Sequence, residues 1–368
     1  MRSNRRQVGM RSWIDLLLVF VPLALVLEYA AGAPPLAVFI AAGFAIVPLA
    51  GWLGHATEML AARLGTGLGS FLNATFGNAT ELIIAFFALR AGQAEVVKAS
   101  LIGSIIGNLL LVLGAAALFG GWRHAMLRFD AEQVKVRASL LVIAIIGFVV
   151  PAVVDFNAQQ VLSEGKSLQT DERLSLGVAL VLLLLYLSSL VFTFRTHTDL
   201  LSDEEMTEGE AAWSPMRAIV VLLAATVAIA FMSELLVGAL EGFTEAVGLP
   251  ATFVGLIIIP IIGNAAEHAS AVTFALKAKM ELAVGIALGS ALQIALLVAP
   301  LLVLLSWVIG QPMDLVLRGP LELTALIGAV FIGNAVARDG ETHWYEGLML
   351  LGVYAIFALA FFFSPGGA

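Results

Sequence analysis

Apolar runs of about 20 residues recur along nearly the whole chain, and that pattern predicts helices that cross a lipid bilayer. Eleven can be marked, with soft boundaries: 13–31, 34–62, 69–90, 95–119, 133–154, 174–195, 216–240, 250–276, 281–307, 320–337 and 343–363. The second contains Pro48, which predicts a kink or a tilt. With 60% hydrophobic and 12% charged residues and a mean hydropathy of +0.99, the composition excludes an ordinary soluble domain. No basic stretch carries interleaved aromatics, so nucleic acid is not an expected partner. The chain has no cysteine, which removes disulfides, thiolate metal sites and thiol catalysis.

Charge sets the orientation. With the N-terminus inside, the inner face carries Arg2, Arg5, Arg6, Arg11, Arg63, Arg123, Arg128, Lys135, Arg137, Arg195, Arg217, Lys277, Lys279 and Arg338. The outer face carries only Arg90, Lys98, Lys166, Arg173 and Arg318, so the inner face is expected to be cytoplasmic. The run from Trp13 to Ala30 follows the N-terminal arginines and reads as a retained first helix. A cleaved leader ending near Ala31-Gly32-Ala33 would leave the remaining topology unchanged.

Two near-copies of one phrase lie inside apolar runs: Gly77-Asn78-Ala79-Thr80-Glu81 and Gly263-Asn264-Ala265-Ala266-Glu267. They are 186 positions apart (263 − 77), as are Gly103-Ser104 and Gly289-Ser290. Spans two to six therefore match spans seven to eleven. Five is odd, so the second half enters the membrane from the opposite side, as in an inverted repeat. The expected organisation is an N-terminal segment and first helix (1–32), a first five-helix half (33–198), an acidic linker (199–213) and a second five-helix half (214–368). The linker run from Asp199 to Glu210 reads as a solvated cytoplasmic connection, or as a weak collector of divalent cations.

An acid at membrane depth is costly and marks a functional site by default. Asn78 and Glu81, like Asn264 and Glu267, are three apart and share a helix face. Gly77 and Gly263 weaken the helix just before each asparagine, and Pro260 removes a helical hydrogen bond. Two carboxylates, two amide oxygens and freed carbonyls make an all-oxygen set. Calcium fits it best, Mn2+ and Cd2+ suit the same donors, and Na+ would leave excess negative charge. The ligands must lose protons to bind a cation, so protons and cation compete for one site. Each phrase alone also fits a small-residue helix contact; the matched pair favours function.

A second tier comprises Glu58 and Glu234, on corresponding helices, as proton relays or ion-path residues. Ser104, Asn108, Ser290 and Gln293 are candidates for neutral oxygens or interhelical hydrogen bonds. His268 could shuttle protons or simply pack, and Gly333-Asn334 reads as packing.

On these paired phrases, on Gly103-Ser104 and Gly289-Ser290-Ala291-Leu292-Gln293, and on the acidic linker, the sequence resembles the Ca2+/H+ exchanger family within the Ca2+/cation antiporters. The resemblance implies an all-α polytopic membrane protein of eleven helices, the first peripheral to two inverted five-helix halves. It implies that Glu81 and Glu267 bind Ca2+ and exchange it for H+, with Asn78 and Asn264 assisting. The asparagine after each glycine favours protons over sodium as the coupling ion. The expected protein is a transporter in the cell membrane, not an enzyme, with Ca2+ and H+ as cargo and no cofactor. A sodium-coupled exchanger of the same fold and a passive cation channel are the alternatives. An intramembrane metalloprotease would need a His-Glu-x-x-His helix, which is absent.

Overall fold

Without water to pair them, backbone N–H and C=O groups must bond within their own segment, and this chain does so almost entirely as helix. The computed structural model describes residues 14–162, 164–196 and 213–364. The N-terminal arginines and the acidic run 199–210 lie outside the described residues.

In chain order the helices are α1 (Leu16–Tyr29), α2 (Pro35–Phe76), α3 (Ala79–Arg90), α4 (Ala94–Arg123), α5 (Ala131–Val161), α6 (Glu164–Val191) and α7 (Pro215–Gly238). They continue with α8 (Leu240–Val247), α9 (Ala251–Gly263), α10 (Ala265–Leu276), α11 (Met280–Val308), α12 (Pro320–Val336) and α13 (Trp344–Phe362). Seven are long and apolar enough to cross a membrane: α2 over Pro35–Leu64, α4, α5, α6, α7, α11 and α13. Helices α8 and α9 form a further pair, bent by 114°. The expected first and tenth spans are the shorter apolar helices α1 and α12, and the third and eighth are broken rather than single helices.

Helical bonding runs unbroken through α2, yet the rod is not straight. A Cβ on Gly69 would lie 2.4 Å from the Ala61 carbonyl oxygen. In a straight helix residues eight apart are about 12 Å apart along the axis. The chain therefore doubles back between Ala61 and Gly69, where the sequence predicts the connection between spans two and three.

Local signals explain most ends. Pro35 and Pro215 occupy first-turn positions, where the missing N–H costs nothing. Asp130 caps α5 by accepting from the Glu132 and Gln133 amides, and His343 with Glu346 forms a capping box on α13. Gly248 closes α8 in the left-handed region at φ 69°.

Helix α7 lies along α2, α10 and α13 pack on the end of α4, and α5 and α6 pack against each other and against α11. The α4–α9 crossing is close. A Cβ on Gly103 would come 2.0 Å from the Leu256 carbonyl oxygen, and one on Gly255 would meet the Ala99 Cβ at 2.9 Å. Its repeat mate behaves differently, since a Cβ on Gly289 would find only Arg137 Nη1, at 3.8 Å. At one end of the bundle two short strands, β1 (Leu127–Arg128) and β2 (Glu341–Thr342), pair antiparallel and tie the α4–α5 connection to the α12–α13 connection.

Candidate functional site

Both phrases break their helix at the asparagine. Asn78 has φ −100° and ψ 21°, and Asn264 has φ −93° and ψ 7°, each in the bridge region. Helix bonding resumes at once, with the Leu82 amide donating to the Asn78 carbonyl at 3.0 Å and that of His268 to Asn264 at 2.9 Å. The break leaves Glu81 and Glu267 in the first turns of α3 and α10, where the positive end of the helix dipole favours a carboxylate.

Glu81 reaches the break before Glu267: a Cβ on Gly263 would stand 3.5 Å from Glu81 Cγ and 3.7 Å from Oε1, ordinary contact distances. Glu81 is only 7% exposed, while Glu267 is half-buried beside a half-buried His268.

The amides cross between the halves. Asn78 Nδ2 donates to Gln293 Oε1, and Asn78 Oδ1 accepts from Ser290 Oγ at 3.0 Å. Ser290 Oγ in turn accepts from Asn108 Nδ2 at 3.0 Å. Asn264 Nδ2 donates to Ser104 Oγ at 3.2 Å and to the Pro260 carbonyl at 2.9 Å. All of Asn78, Asn108, Asn264, Ser104 and Ser290 are buried. The two arms are not copies: at the shared offset, Gln293 matches Gly107 and Asn108 matches Ile294 (107 + 186, 108 + 186).

Those amides sit where helix bonding slips to π geometry, over Gly107–Val112 in α4 and from Ile294, just after Gln293, to Val298 in α11. Such bulges recur at functional sites because they re-aim side chains within a helix.

Four buried oxygens among these residues have no hydrogen-bond donor: Glu81 Oε2, Glu267 Oε2, Asn108 Oδ1 and Asn264 Oδ1. A region short of donors and rich in acceptors is suited to a cation or to protons. Among the described residues no group of three or more His, Cys, Asp or Glu could hold a metal ion.

Of the second-tier residues, Ser104, Asn108, Ser290 and Gln293 join the network. Glu58 and Glu234 do not. Glu58 is 57% exposed in α2, with His55 Nδ1 at 3.5 Å, and Glu234 is exposed near the end of α7. Asn334 donates to the Ala138 carbonyl at 3.5 Å, a packing role. Sequence reasoning passes over a buried charge cluster around Asp155, Asp171, Asp314 and Lys98. These residues lie near helix ends on separate elements, and no spacing relates them.

The profile of the sodium/calcium exchanger protein family matches residues 34–195 and 217–363. The chain is 47% identical to the Ca(2+)/H(+) antiporter of Synechocystis sp., over 95% of this chain and 96% of that protein. It is 44% identical to the Ca(2+)/H(+) antiporter of Aphanothece halophytica, again over 95% and 96%. It superposes on the structure of native YfkE with a TM-score of 0.81 at 38% identity, covering 95% of this chain and all of that one.

Proposed function

Because the chain belongs to the sodium/calcium exchanger protein family, an assignment that covers both halves, we propose that it is a secondary active transporter exchanging cytosolic Ca2+ for protons. The observation that carries this reading is the site's polarity: two acids at two broken helices, Glu81 lying against the break before Glu267, with four buried acceptor oxygens and no donor for them. Glu81 and Glu267 hold either Ca2+ or protons, because metal binding needs both carboxylates ionised. Asn78 and Asn264 anchor the breaks through Gln293, Ser290 and Ser104, and the free amide oxygens of Asn264 and Asn108 complete an oxygen set. Gly77 and Gly263 give the broken backbone room. Mn2+ and Cd2+ can enter the same set.

In this reading the protein lies in the cell membrane with its N-terminus cytoplasmic. It uses eleven membrane segments, α1 peripheral and the rest in two inverted five-helix halves with the acidic linker between them. Glu58 then stands at the inner mouth and Glu234 at the outer one, on helices that slide. The close Gly103–Leu256 crossing and the open surroundings of Gly289 support a state closed on the outer half and open on the inner half. His268 lines the half-exposed inner approach to Glu267.

The test is calcium uptake into proteoliposomes driven by an imposed pH gradient. Uptake should vanish in Glu81→Gln and in Glu267→Gln. Normal transport by both variants would remove the site assignment, and uptake driven by a sodium gradient alone would replace the coupling ion.

A further inference from the structure

The outer ends of α5 and α6 hold two buried acids for which calcium transport has no use. Asp155 lies 24 residues beyond the start of α5 (155 − 131), about 36 Å along the axis and past the ~30 Å hydrocarbon core. Asp171 stands in the second turn of α6. They are 5% and 1% exposed. Asp155 Oδ1 lies 3.5 Å from Ser167 Oγ, four residues before Asp171 on the same face of α6, so the two acids are neighbours, yet neither Asp171 oxygen meets a donor. Two ionised carboxylates are acceptors only, so this contact closes when one of them carries a proton.

The surrounding groups leave room for that proton. Gln159 Nε2 donates to Asp155 Oδ2 at 2.8 Å, and Ser167 Oγ lies 3.5 Å from Oδ1. Arg318 Nη2 stands 3.6 Å from Asp171 Oδ2, too far for a hydrogen bond, and is committed to Asp314 at 2.8 Å. Glu95 and Lys98 of α4 lie behind, with Lys98 Nζ 2.7 Å from Glu95 and 3.1 Å from Asp314, and Glu322 of α12 adds a further acid near Glu95. The stretch of α11 packed against α6, Ala299–Val308, has no titratable side chain. Five acids (Asp155, Asp171, Asp314, Glu95, Glu322) thus share two cations, Lys98 and Arg318. A bound metal ion fits poorly: Arg318 stands over the pair, and no metal-competent acid cluster occurs among the described residues.

We infer that Asp155 and Asp171 form a second proton-binding site, on the outer face and separate from the transport acids, whose one shared proton clasps α5 to α6. Helix α6 packs on the π segment of α11 just beyond Gln293, so the clasp steadies the frame behind the transport site. It opens as the outer solution turns alkaline, when both carboxylates ionise and repel.

The inference stands apart from the transport reading, and its test needs no calcium. The full-length protein carrying Glu81→Gln and Glu267→Gln is placed in nanodiscs, so that the transport acids are silent. Its thermal unfolding midpoint is then followed from mildly acidic to mildly alkaline pH. The midpoint should fall by about 2 °C or more as the proton leaves. Asp171→Asn and Asp155→Asn, whose amide replaces the shared proton, should flatten that fall. The infrared carbonyl band of a protonated carboxyl should vanish over the same range and be missing from either variant. A variant that keeps the parent's slope and band overturns the inference. So does a midpoint in the parent, but not in the variants, that rises with added Ca2+ at alkaline pH, because a metal would then be the occupant. Should one variant fail to fold, the other and the parent's band still decide.

Discussion

The two repeat glycines of α4 and α11 give a sharp test of how access alternates. Gly103 has no space: an added methyl would sit 2.0 Å from the Leu256 carbonyl oxygen and 2.6 Å from its carbon. Contact at ordinary radii needs more than 3 Å, so α4 and α9 must part by about 1 Å, and overpacking of this kind costs about 1–3 kcal/mol or more. Gly103→Ala should therefore lower the unfolding midpoint. Gly289→Ala meets nothing closer than 3.8 Å, and alanine in a helix gains about 0.5–1 kcal/mol over glycine. Its midpoint should hold or rise. If the halves exchange environments during transport, Gly289 becomes the crowded residue in the opposite state. A penalty of about 2 kcal/mol there depletes that state about 30-fold. The assay is pH-driven calcium uptake in proteoliposomes alongside thermal unfolding. Gly289→Ala should be stable and slow, by about one order of magnitude or more. A Gly289→Ala protein with full stability and the parent's rate would refute the exchange of environments.

Other perturbations separate the site from its supports. Gln293→Ala removes the acceptor for the Asn78 amide; with about 1 kcal/mol per neutral hydrogen bond, the apparent affinity for Ca2+ should fall about fivefold with little change in midpoint, read from uptake against calcium concentration. Asp314 is the acid-side counterpart of the clasp. Burial alone would raise its pKa, but Lys98 and Arg318 outweigh it and hold the carboxyl below the usual range. A depressed folded value gives stability that is present at neutral pH and lost as pH falls through the ordinary carboxylate range to the folded one. Asp314→Asn should thus cost about 3 kcal/mol at neutral pH and lose part of the parent's acid sensitivity, measured by unfolding midpoints at neutral and acidic pH. Glu58→Gln, at an exposed position away from the paired acids, should slow uptake without abolishing it, whereas Glu81→Gln should abolish it; equal losses in both would place Glu58 in the ion site itself.

Much of this was legible because lipid imposes one solution on the backbone. Apolar length marks the helices, and the recurrence of Gly-Asn and Glu at one offset marks both breaks, including their matching bridge-region dihedrals. The partners of the asparagines were legible as types, but not as pairings. That Asn78 bonds across to Ser290 and Gln293, while Asn264 bonds to Ser104, depends on how the halves cross. The doubling back of α2 falls where the sequence places the connection between spans two and three, but the good helix formers and small residues there hid that helical bonding continues through it. The outer charge cluster was invisible for a different reason. Asp155, Asp171, Asp314 and Lys98 come from four elements, and each alone looks like a solvated helix end.

The paired strands β1 and β2 have a mechanical consequence. Leu127 opposite Thr342 and Arg128 opposite Glu341 staple the lower ends of α4, α5, α12 and α13 into one collar. At the far end, Lys98 bonded to Asp314 and the Val316 carbonyl, with the Leu315 amide donating to Ser175, fastens α4, α6 and the segment before α12 into another. Of these elements, α4 and α12 are tied at both ends. If access alternates by α2 and α7 sliding, as proposed above, the membrane around that side-by-side pair is where lipid thickness and stiffness should govern turnover.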